Sequence, residues 1–422
     1  MDDLKTIYTS EWSILKPAKI RMMYGNIQID YEDYNLINEL EEQRKLKVKQ
    51  FSEGMEIETY SYVGVIRFSN FQVIIKPKID DICLAKMISY SYNLDLENIR
   101  YYDFTVSLDT ERAAITDVIA LLYIKEVEKI ILKGLANRYK QKEEDLSSCR
   151  GKIVFNDLAK KSTADLTLPC RYGELTTDIA ENRLIYSTLE FLKKHISSSR
   201  ISRKINILSE KLSDKVSYQK MNKTLFQKVN KESNRLTKHY EKVIKLSKFI
   251  YENQDFSLIS RKMGFSSFLI DMNELFEKFL YRLFEVTFQY QLDIKYQNSL
   301  KNNYIASDGQ NRSLIPDYQF YKDNVLIGIA DAKYKDYQKK KVSSGDLYQL
   351  TAYAVANTNS INNIMLFYPL RENQQIEEYS LYSYLIEDDI NIINIGISIE
   401  NCLEDLKSSQ YYLNNIIGKF MR

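Results

Sequence analysis

Hydrophobic and polar positions along the chain change period twice, and the changes divide it into three regions. Residues 54–80, GMEIETYSYVGVIRFSNFQVIIKPKID, carry two β-rich runs, around Tyr60 to Phe68 and Phe71 to Lys76. A turn-like Ser69–Asn70 joins them, and Pro77 closes the second because proline cannot donate to a strand ladder. The pair predicts a β-meander or small barrel. Residues 117–140 then place Ile119, Leu122, Tyr123, Val127, Ile130 and Ile131 at helical spacing, which predicts one long helix. The charged run QKEED at 141–145 is expected to be a loop.

The middle region combines a strand-then-helix signal in CRGKIVFNDLAK with ENRLIYSTLEFLKKHI and a basic stretch, free of Gly and Pro, that reaches about residue 250. Helices acting as a connecting or clamping layer are expected there. The last region opens on SSFLIDMNELFEKFLYRLFEVTFQYQ, an amphipathic helix with Leu275, Phe276, Phe279, Leu280 and Leu283 on its apolar stripe and the serines ahead of it as a cap. A strand at LDIKYQNSL, a hairpin within PDYQFYKDNVLIGIADAKYK, a helix at GDLYQLTAYAVAN and strands at NIMLFYP and INIINIGISI follow. This order, α-β-β-β-α-β, predicts a small α/β domain around a mixed central sheet. The fold class read from the pattern is therefore α+β and multidomain. Residues 1–140 form a β-rich domain with a closing helix, 141–255 a helical, basic connecting region, and 256–422 the C-terminal α/β domain.

Composition narrows the setting. At 422 residues the chain is long enough for two or three domains with cores of their own. Its four cysteines, Cys83, Cys149, Cys170 and Cys402, form no CxxC pair, so they are expected to be reduced core residues. The polar start MDDLKTIYTS does not fit a signal peptide, and no run nears the roughly 18 apolar residues of a membrane span. A cytoplasmic protein is expected. The net charge of +2 hides an asymmetry: Lys193 to Lys248 holds 16 Lys and Arg against 4 Asp and Glu, leaving −10 for the rest. Such a stretch suits a phosphate backbone, and equally a solvated helical face.

Several chemistries are excluded. The only histidines, His195 and His239, lie in the basic stretch and are read as ordinary surface residues. Zinc proteases of the HExxH type and Ser-His-Asp hydrolases each need an imidazole at the centre. The GK pairs at Gly151 and Gly418 are followed by Ile153 and Phe420, so there is no phosphate-cradling GxxxxGK[ST]. Nucleotide hydrolysis, if involved, belongs to another polypeptide.

The hairpin at 316–335 carries the positive signal. Strand alternation sets Asp331 and Lys333 on one face, with Leu326, Ala330 and Ala332 on the other. The YKDN turn brings Asp317 back toward Asp331. Two carboxylates converging on one point repel each other unless a cation neutralises them, and Mg²⁺, with Mn²⁺ as substitute, is the natural hard ion. Such an ion activates a bound water and offsets charge on a phosphoryl group, while Lys333 orients the water. Glu277, at the edge of the preceding apolar stripe, is a third candidate ligand, or else a flanking surface residue. Gln349 and Tyr353, an i, i+4 pair on the next helix, either brace Lys333, touch nucleic acid, or pack.

Together Glu277, Pro316–Asp317, the Asp331–Ala332–Lys333 triplet and QLTAY at 349–353 resemble the PD-(D/E)xK nuclease superfamily in its form with a Q-x-x-x-Y helix. More narrowly, FLIDMNELFEKFL, DAKYK, VGVIRFSNFQVIIKPKI, RGKIVF and ENRLIYSTL resemble, in order, the McrC family of nuclease subunits in McrBC-type restriction systems. The resemblance implies a restriction-endonuclease-like C-terminal domain that cuts double-stranded, modified DNA with Mg²⁺ held by Asp317, Asp331 and Glu277. It also implies an McrB-like AAA+ GTPase hexamer as partner, with the N-terminal half stimulating its NTP hydrolysis and no nucleotide bound by this chain. Two other readings stay open: a catalytically silent scaffold and NTPase activator, and a stand-alone DNA repair nuclease.

Overall fold

Short β-branched runs bounded by turns fold as strands in the N-terminal part. The computed structural model describes residues 5–94, 115–162, 166–196, 198–254, 267–300, 304–305, 311–335, 342–356, 361, 363–370, 376–383 and 388–420. The first elements are β1 (Lys5–Ser10), β2 (Ile14–Leu15), α1 (Pro17–Tyr24), α2 (Asp33–Glu42), β3 (Leu46–Phe51), β4 (Gly54–Thr59), β5 (Tyr62–Arg67), β6 (Phe71–Lys76) and α3 (Asp81–Ser91). Strands β5 and β6 pair antiparallel across the Ser69–Asn70 turn, and β1 joins β6 in parallel. The turn is pinned by Asp33, whose Oδ1 accepts from the Ser69 amide at 3.0 Å and its hydroxyl at 2.9 Å. Ile7, Leu36, Ile57, Phe68, Phe71 and Val73 form the core beneath.

The chain separates into two compact units, one of residues 1–103 with 255–422, the other of 104–254. The second contains α4 (Ile115–Lys133), β7 (Arg138–Leu146), β8 (Lys152–Ile153), α5 (Phe155–Leu158), β9 (Leu168–Thr176), α6 (Ala180–Lys193), α7 (Ser199–Ser213), α8 (Lys223–Glu232) and α9 (Glu241–Glu252). Two expectations are corrected here. The long helix α4, expected to close the N-terminal domain, packs instead with α6, α7 and α9. The QKEED run is strand, not loop: it lies inside β7, which pairs antiparallel with β9 over nine residues. Most of β7 faces solvent on both sides, so no apolar alternation marks it. Cross-strand contacts such as Arg171 Nε with Glu143, at 2.5 Å, hold it instead.

Two smaller corrections follow. His195 is buried rather than on the surface, its Nδ1 2.8 Å from the Phe191 carbonyl and its ring stacked on Phe191; His239 is exposed as expected. Cys149 is exposed, whereas the other three cysteines are buried.

The first unit resumes with β10 (Phe268–Asp271), α10 (Met272–Phe288), β11 (Asp293–Tyr296), β12 (Tyr304–Ile305), β13 (Asn311–Arg312), β14 (Tyr318–Lys322), β15 (Val325–Ala332), α11 (Ser344–Val355), β16 (Asn363–Leu370), β17 (Ile376–Ser383), β18 (Asp388–Ser398), α12 (Ile399–Glu404) and α13 (Leu406–Phe420). Residues 268–271, expected as the first turn of a helix, are a strand that pairs with β5 and places Leu269 in the N-terminal core. The helix starts after them, capped by Asp271, whose Oδ1 accepts from the Asn273 amide at 2.9 Å. Ser267 therefore stands ahead of the strand, and Ser266 lies outside the described residues.

Six strands form one mixed sheet in the order β11-β14-β15-β16-β18-β17. The hairpin β14–β15 is antiparallel, while β15–β16 and β16–β18 are parallel. Helix α10 covers one face, where Phe284 meets the rings of Tyr318, Phe320 and Phe367 at centroid distances of 5.1, 5.5 and 4.9 Å. Helix α11 covers the other through Leu350, Tyr353 and Ala354 against Ile329, Ile364, Leu366 and Ile392. The chain is thus a mixed α+β protein. Its sheet ends in charged residues between two helical layers.

Candidate functional site

The hairpin turn fixes the site. Asp323 and Asn324 both have positive φ, 51° and 65°, as a two-residue turn matched to the strand twist requires. From that turn the register runs to Tyr318 opposite Ala330, and one further step sets Asp317 beside Asp331. A bulge between Phe320 and Tyr321 shifts the pairing nearer the turn, so the register at the site is not the one simple counting from the turn gives. Asp317 Oδ2 accepts from the Ala332 amide at 2.7 Å.

Alternation along β15 puts Ile329, Asp331 and Lys333 on one face. Ile329 enters the α11 core, and Asp331 is almost fully buried just beyond it. The Lys333 amine lies 2.6 Å from Asp331 Oδ2. The ammonium is the partner of this buried oxygen. The Lys333 amide donates to the Phe367 carbonyl at 2.9 Å and carries the β15–β16 pairing one residue past the strand.

Glu277 approaches from α10. Its Oε2 accepts from the Gln297 side-chain amide at 2.9 Å, and its backbone carbonyl accepts from the Tyr318 hydroxyl at 2.8 Å. Burial pushes the Glu277 carboxyl up to about 7, with the charge of Asp331 adding to it and the Gln297 bond and Lys333 opposing. Burial likewise lifts Asp317 to about 9, reinforced by the charges of Asp331 and Glu277. Burial disfavours the Lys333 ammonium, but Asp331 and Asp317 more than offset this and hold it above its ordinary value. Three carboxylates and one ammonium thus share one partly desolvated field.

Gln349 and Tyr353 meet on one face of α11, where Tyr353 also belongs to the core against the sheet. The Gln349 amide donates to the Tyr353 hydroxyl at 2.8 Å, and that hydroxyl reaches the Ile315 carbonyl at 3.2 Å. The pair therefore steadies the backbone ahead of Pro316–Asp317. Residues that sequence reasoning missed complete the frame. Gln297, at a positive φ of 46°, donates its amide to the Asp317 carbonyl at 2.9 Å as well as its side chain to Glu277. Lys335 binds both Asp346 oxygens, at 3.0 and 2.9 Å, and ties the end of the hairpin to α11. The Ser343-x-x-Asp346 spacing, a helix-start signature, was the available signal for that anchor.

What the arrangement offers a cation is specific. Among the described residues no group of three His, Cys, Asp or Glu side chains is gathered closely enough to hold one ion. Asp317 and Asp331, opposite one another in the hairpin, form a two-carboxylate edge beside the Lys333 amine. That number suits Mg²⁺, which keeps several waters and takes one or two carboxylates.

The raised carboxyls give a pH prediction. Both groups have folded values above the ordinary carboxyl range near 4, so the folded chain binds more protons than the unfolded chain between about 4 and 9. Metal-free stability is therefore greatest at the acid end of that window and falls as pH rises through it. Thermal melts in a chelator should show the decline, and Asp317→Asn should flatten it. An Asp317→Asn profile as steep as wild type would contradict the assignment.

The comparisons agree with this architecture. A family model described as McrBC 5-methylcytosine restriction system component matches residues 57–369. That is most of the chain, and the chain belongs to this family. No curated protein matches it. Among solved structures it is similar to a chain of the refined half-complex from a tetradecameric assembly of Thermococcus gammatolerans McrB AAA+ hexamers with bound McrC. The TM-score there is 0.65 at 17% identity, over 98% of this chain and 100% of that chain. A weaker likeness is to the Thermococcus gammatolerans McrBC complex, with a TM-score of 0.48, 19% identity, and coverage of 67% of this chain and 88% of that one. The first is a likeness of fold along nearly the whole length. No helix among the described residues is long and apolar enough to cross a membrane.

Proposed function

We propose that this chain is the Mg²⁺-dependent DNA endonuclease subunit of an McrBC-type restriction complex. It cuts phosphodiester bonds when activated by a translocating AAA+ GTPase partner and stimulates that partner's NTP hydrolysis. The observation that carries the reading is the meeting of Asp317, Asp331 and Lys333 at the open end of one hairpin, with Asp331 buried and its Oδ2 2.6 Å from the Lys333 amine. Family membership and the AAA+ hexamers in the similar assembly support the partner. So does the lack of a phosphate loop in the sequence.

On this reading Asp317 and Asp331 hold the ion, and Glu277 contributes through the same field. Bound Mg²⁺ would supply an activated water and neutralise charge on the phosphoryl oxygens. Lys333, kept protonated by its two acidic neighbours, orients the attacking water and offsets charge developing on phosphorus. Glu277, whose carboxyl burial pushes up in the metal-free chain, lies in the field of Asp331 and Lys333. Gln297 holds both the Glu277 carboxylate and the Asp317 backbone, and so links the two positions.

The competing reading is a scaffold and NTPase activator without cutting activity. A cleavage assay separates the two. Methylated and unmethylated DNA are incubated with the chain, with and without its AAA+ partner, in Mg²⁺ or in chelator. Cutting is expected only with Mg²⁺ and partner together, and is lost in Asp331→Ala while stimulated NTP hydrolysis persists. Equal cutting by Asp331→Ala and wild type would sink the site. No cutting under any condition, with NTP hydrolysis still stimulated, would establish the scaffold.

A further inference from the structure

The strand that carries Lys333 ends in a tight turn that is gripped from the far end of the sequence. The Lys335 amide donates to the Lys333 carbonyl at 2.9 Å, so Tyr334 is the central residue of a three-residue turn. Lys333 lies on one side of it and the Asp346 anchor Lys335 on the other. The Tyr334 side chain is buried. Its ring packs against Phe276 at a centroid distance of 5.8 Å, and Phe276 immediately precedes Glu277 on α10. One tyrosine thus follows Lys333 in the chain and touches the residue next to Glu277.

The Tyr334 hydroxyl donates to Glu11 Oε1 at 3.0 Å. Glu11 follows β1 and is completely buried. The same oxygen accepts from the Lys78 amide at 2.8 Å, and the Glu11 amide donates to the Lys76 carbonyl at 3.0 Å. The carboxylate is therefore fixed by the ends of β1 and β6 before it meets the tyrosine. A buried carboxylate is costly to desolvate, and a well-packed apolar pair serves stability at least as well. Its direct link to the Lys333 turn calls for a role beyond packing.

We infer that Glu11 is a positioning residue: through the Tyr334 hydroxyl it fixes the turn that aims Lys333, and so ties the set of the cutting site to the N-terminal sheet. The inference rests on the nuclease reading above and deepens it. Any event that shifts the ends of β1 and β6 moves an oxygen that holds the Lys333 turn. Misplacement of a reacting group by about 1 Å is enough to slow chemistry ~100-fold.

Tyr334→Phe is the direct test, because it removes one oxygen and keeps the ring on Phe276. In the complete complex with partner and Mg²⁺, we expect turnover at saturating DNA and ion to fall about tenfold or more. The DNA and Mg²⁺ concentrations for half-maximal rate should stay unchanged. Glu11→Gln, which keeps an acceptor oxygen, should remain within about threefold of wild type. A purely structural tie would move the melting temperature and leave turnover alone. Wild-type turnover in Tyr334→Phe overturns the inference while leaving the nuclease reading intact. If the wild-type complex does not cut at all, the nuclease reading fails, and amide exchange in the full chain decides the brace. Faster exchange at Lys333 and Lys335 in Tyr334→Phe upholds it, and unchanged exchange overturns it.

Discussion

Replacing Lys333 by methionine is expected to lower DNA cleavage by ~10³-fold while divalent-ion binding persists or tightens. The side chain keeps much of its length but loses its charge, so the effect isolates the ammonium. In the wild-type chain that ammonium sits 2.6 Å from Asp331 Oδ2, an oxygen of one of the two carboxylates proposed to hold the ion. On that proposal amine and ion compete for Asp331 before DNA arrives. Removing the amine takes away that competitor, and the charge of Asp331 is then met by an ion or by a proton on Asp317. Titration with Mn²⁺ measures binding, and single-turnover cleavage measures chemistry. Lost binding together with lost cutting would mean that Lys333 organises the carboxylates rather than the reaction. Cutting within tenfold of wild type would remove Lys333 from the mechanism altogether. Asp331→Asn is the complement: it should lose both, because it takes away the charge that ion and amine share.

The contrast between those variants follows from what the sequence did and did not disclose. Asp331 and Lys333 were legible because strand alternation is rigid, and one face of β15 had to be core. Asp317 was legible because the Asp323–Asn324 turn returns the chain within two residues. Gln297 was not, since half of its role is played by a backbone amide at positive φ, which no side-chain pattern announces. Glu11 and Tyr334 stand 323 positions apart, and only the packing of β1 and β6 beside the strand end brings them together. Gln349 and Tyr353 were found by helical spacing, yet spacing gives a shared face and not a target. The target proved to be the Ile315 carbonyl.

Strand β7 failed for the opposite reason. Strand prediction reads burial, and a ribbon wet on both sides has none to show. Strand β10 was hidden by its sequel. Its apolar residues, Phe268 to Ile270, run straight into the apolar stripe of α10, so the two periods merge and the change at Asp271 is lost. That junction matters more than its four residues suggest, because β10 is where the C-terminal elements enter the N-terminal sheet.

Gly64→Ala should therefore cost about 3 kcal/mol or more and loosen α10 along with β10. Gly64 pairs with Leu269 and has a φ of +146°, a conformation that side chains resist. A methyl group there would stand 1.9 Å from the Phe268 carbonyl oxygen and 2.9 Å from its carbon, both backbone atoms that cannot rotate aside. The β5–β10 pairing has to open. Beside it the Met272 amide donates to the Ser61 carbonyl and the Ser61 hydroxyl to Asp271, each at 3.0 Å, so the start of α10 moves with the strand. Glu277 lies on the second turn of that helix, and its place near Asp317 follows. Gly134→Ala is the control, since Gly134 has a φ of +88° but nothing within 4 Å of the added methyl. Backbone strain alone should cost it about 1 kcal/mol. Equilibrium denaturation of both variants separates strain from collision. Equal costs for the two would show that the sheet absorbs the methyl without parting from β10, and that the C-terminal elements are not held to the N-terminal sheet by this pairing.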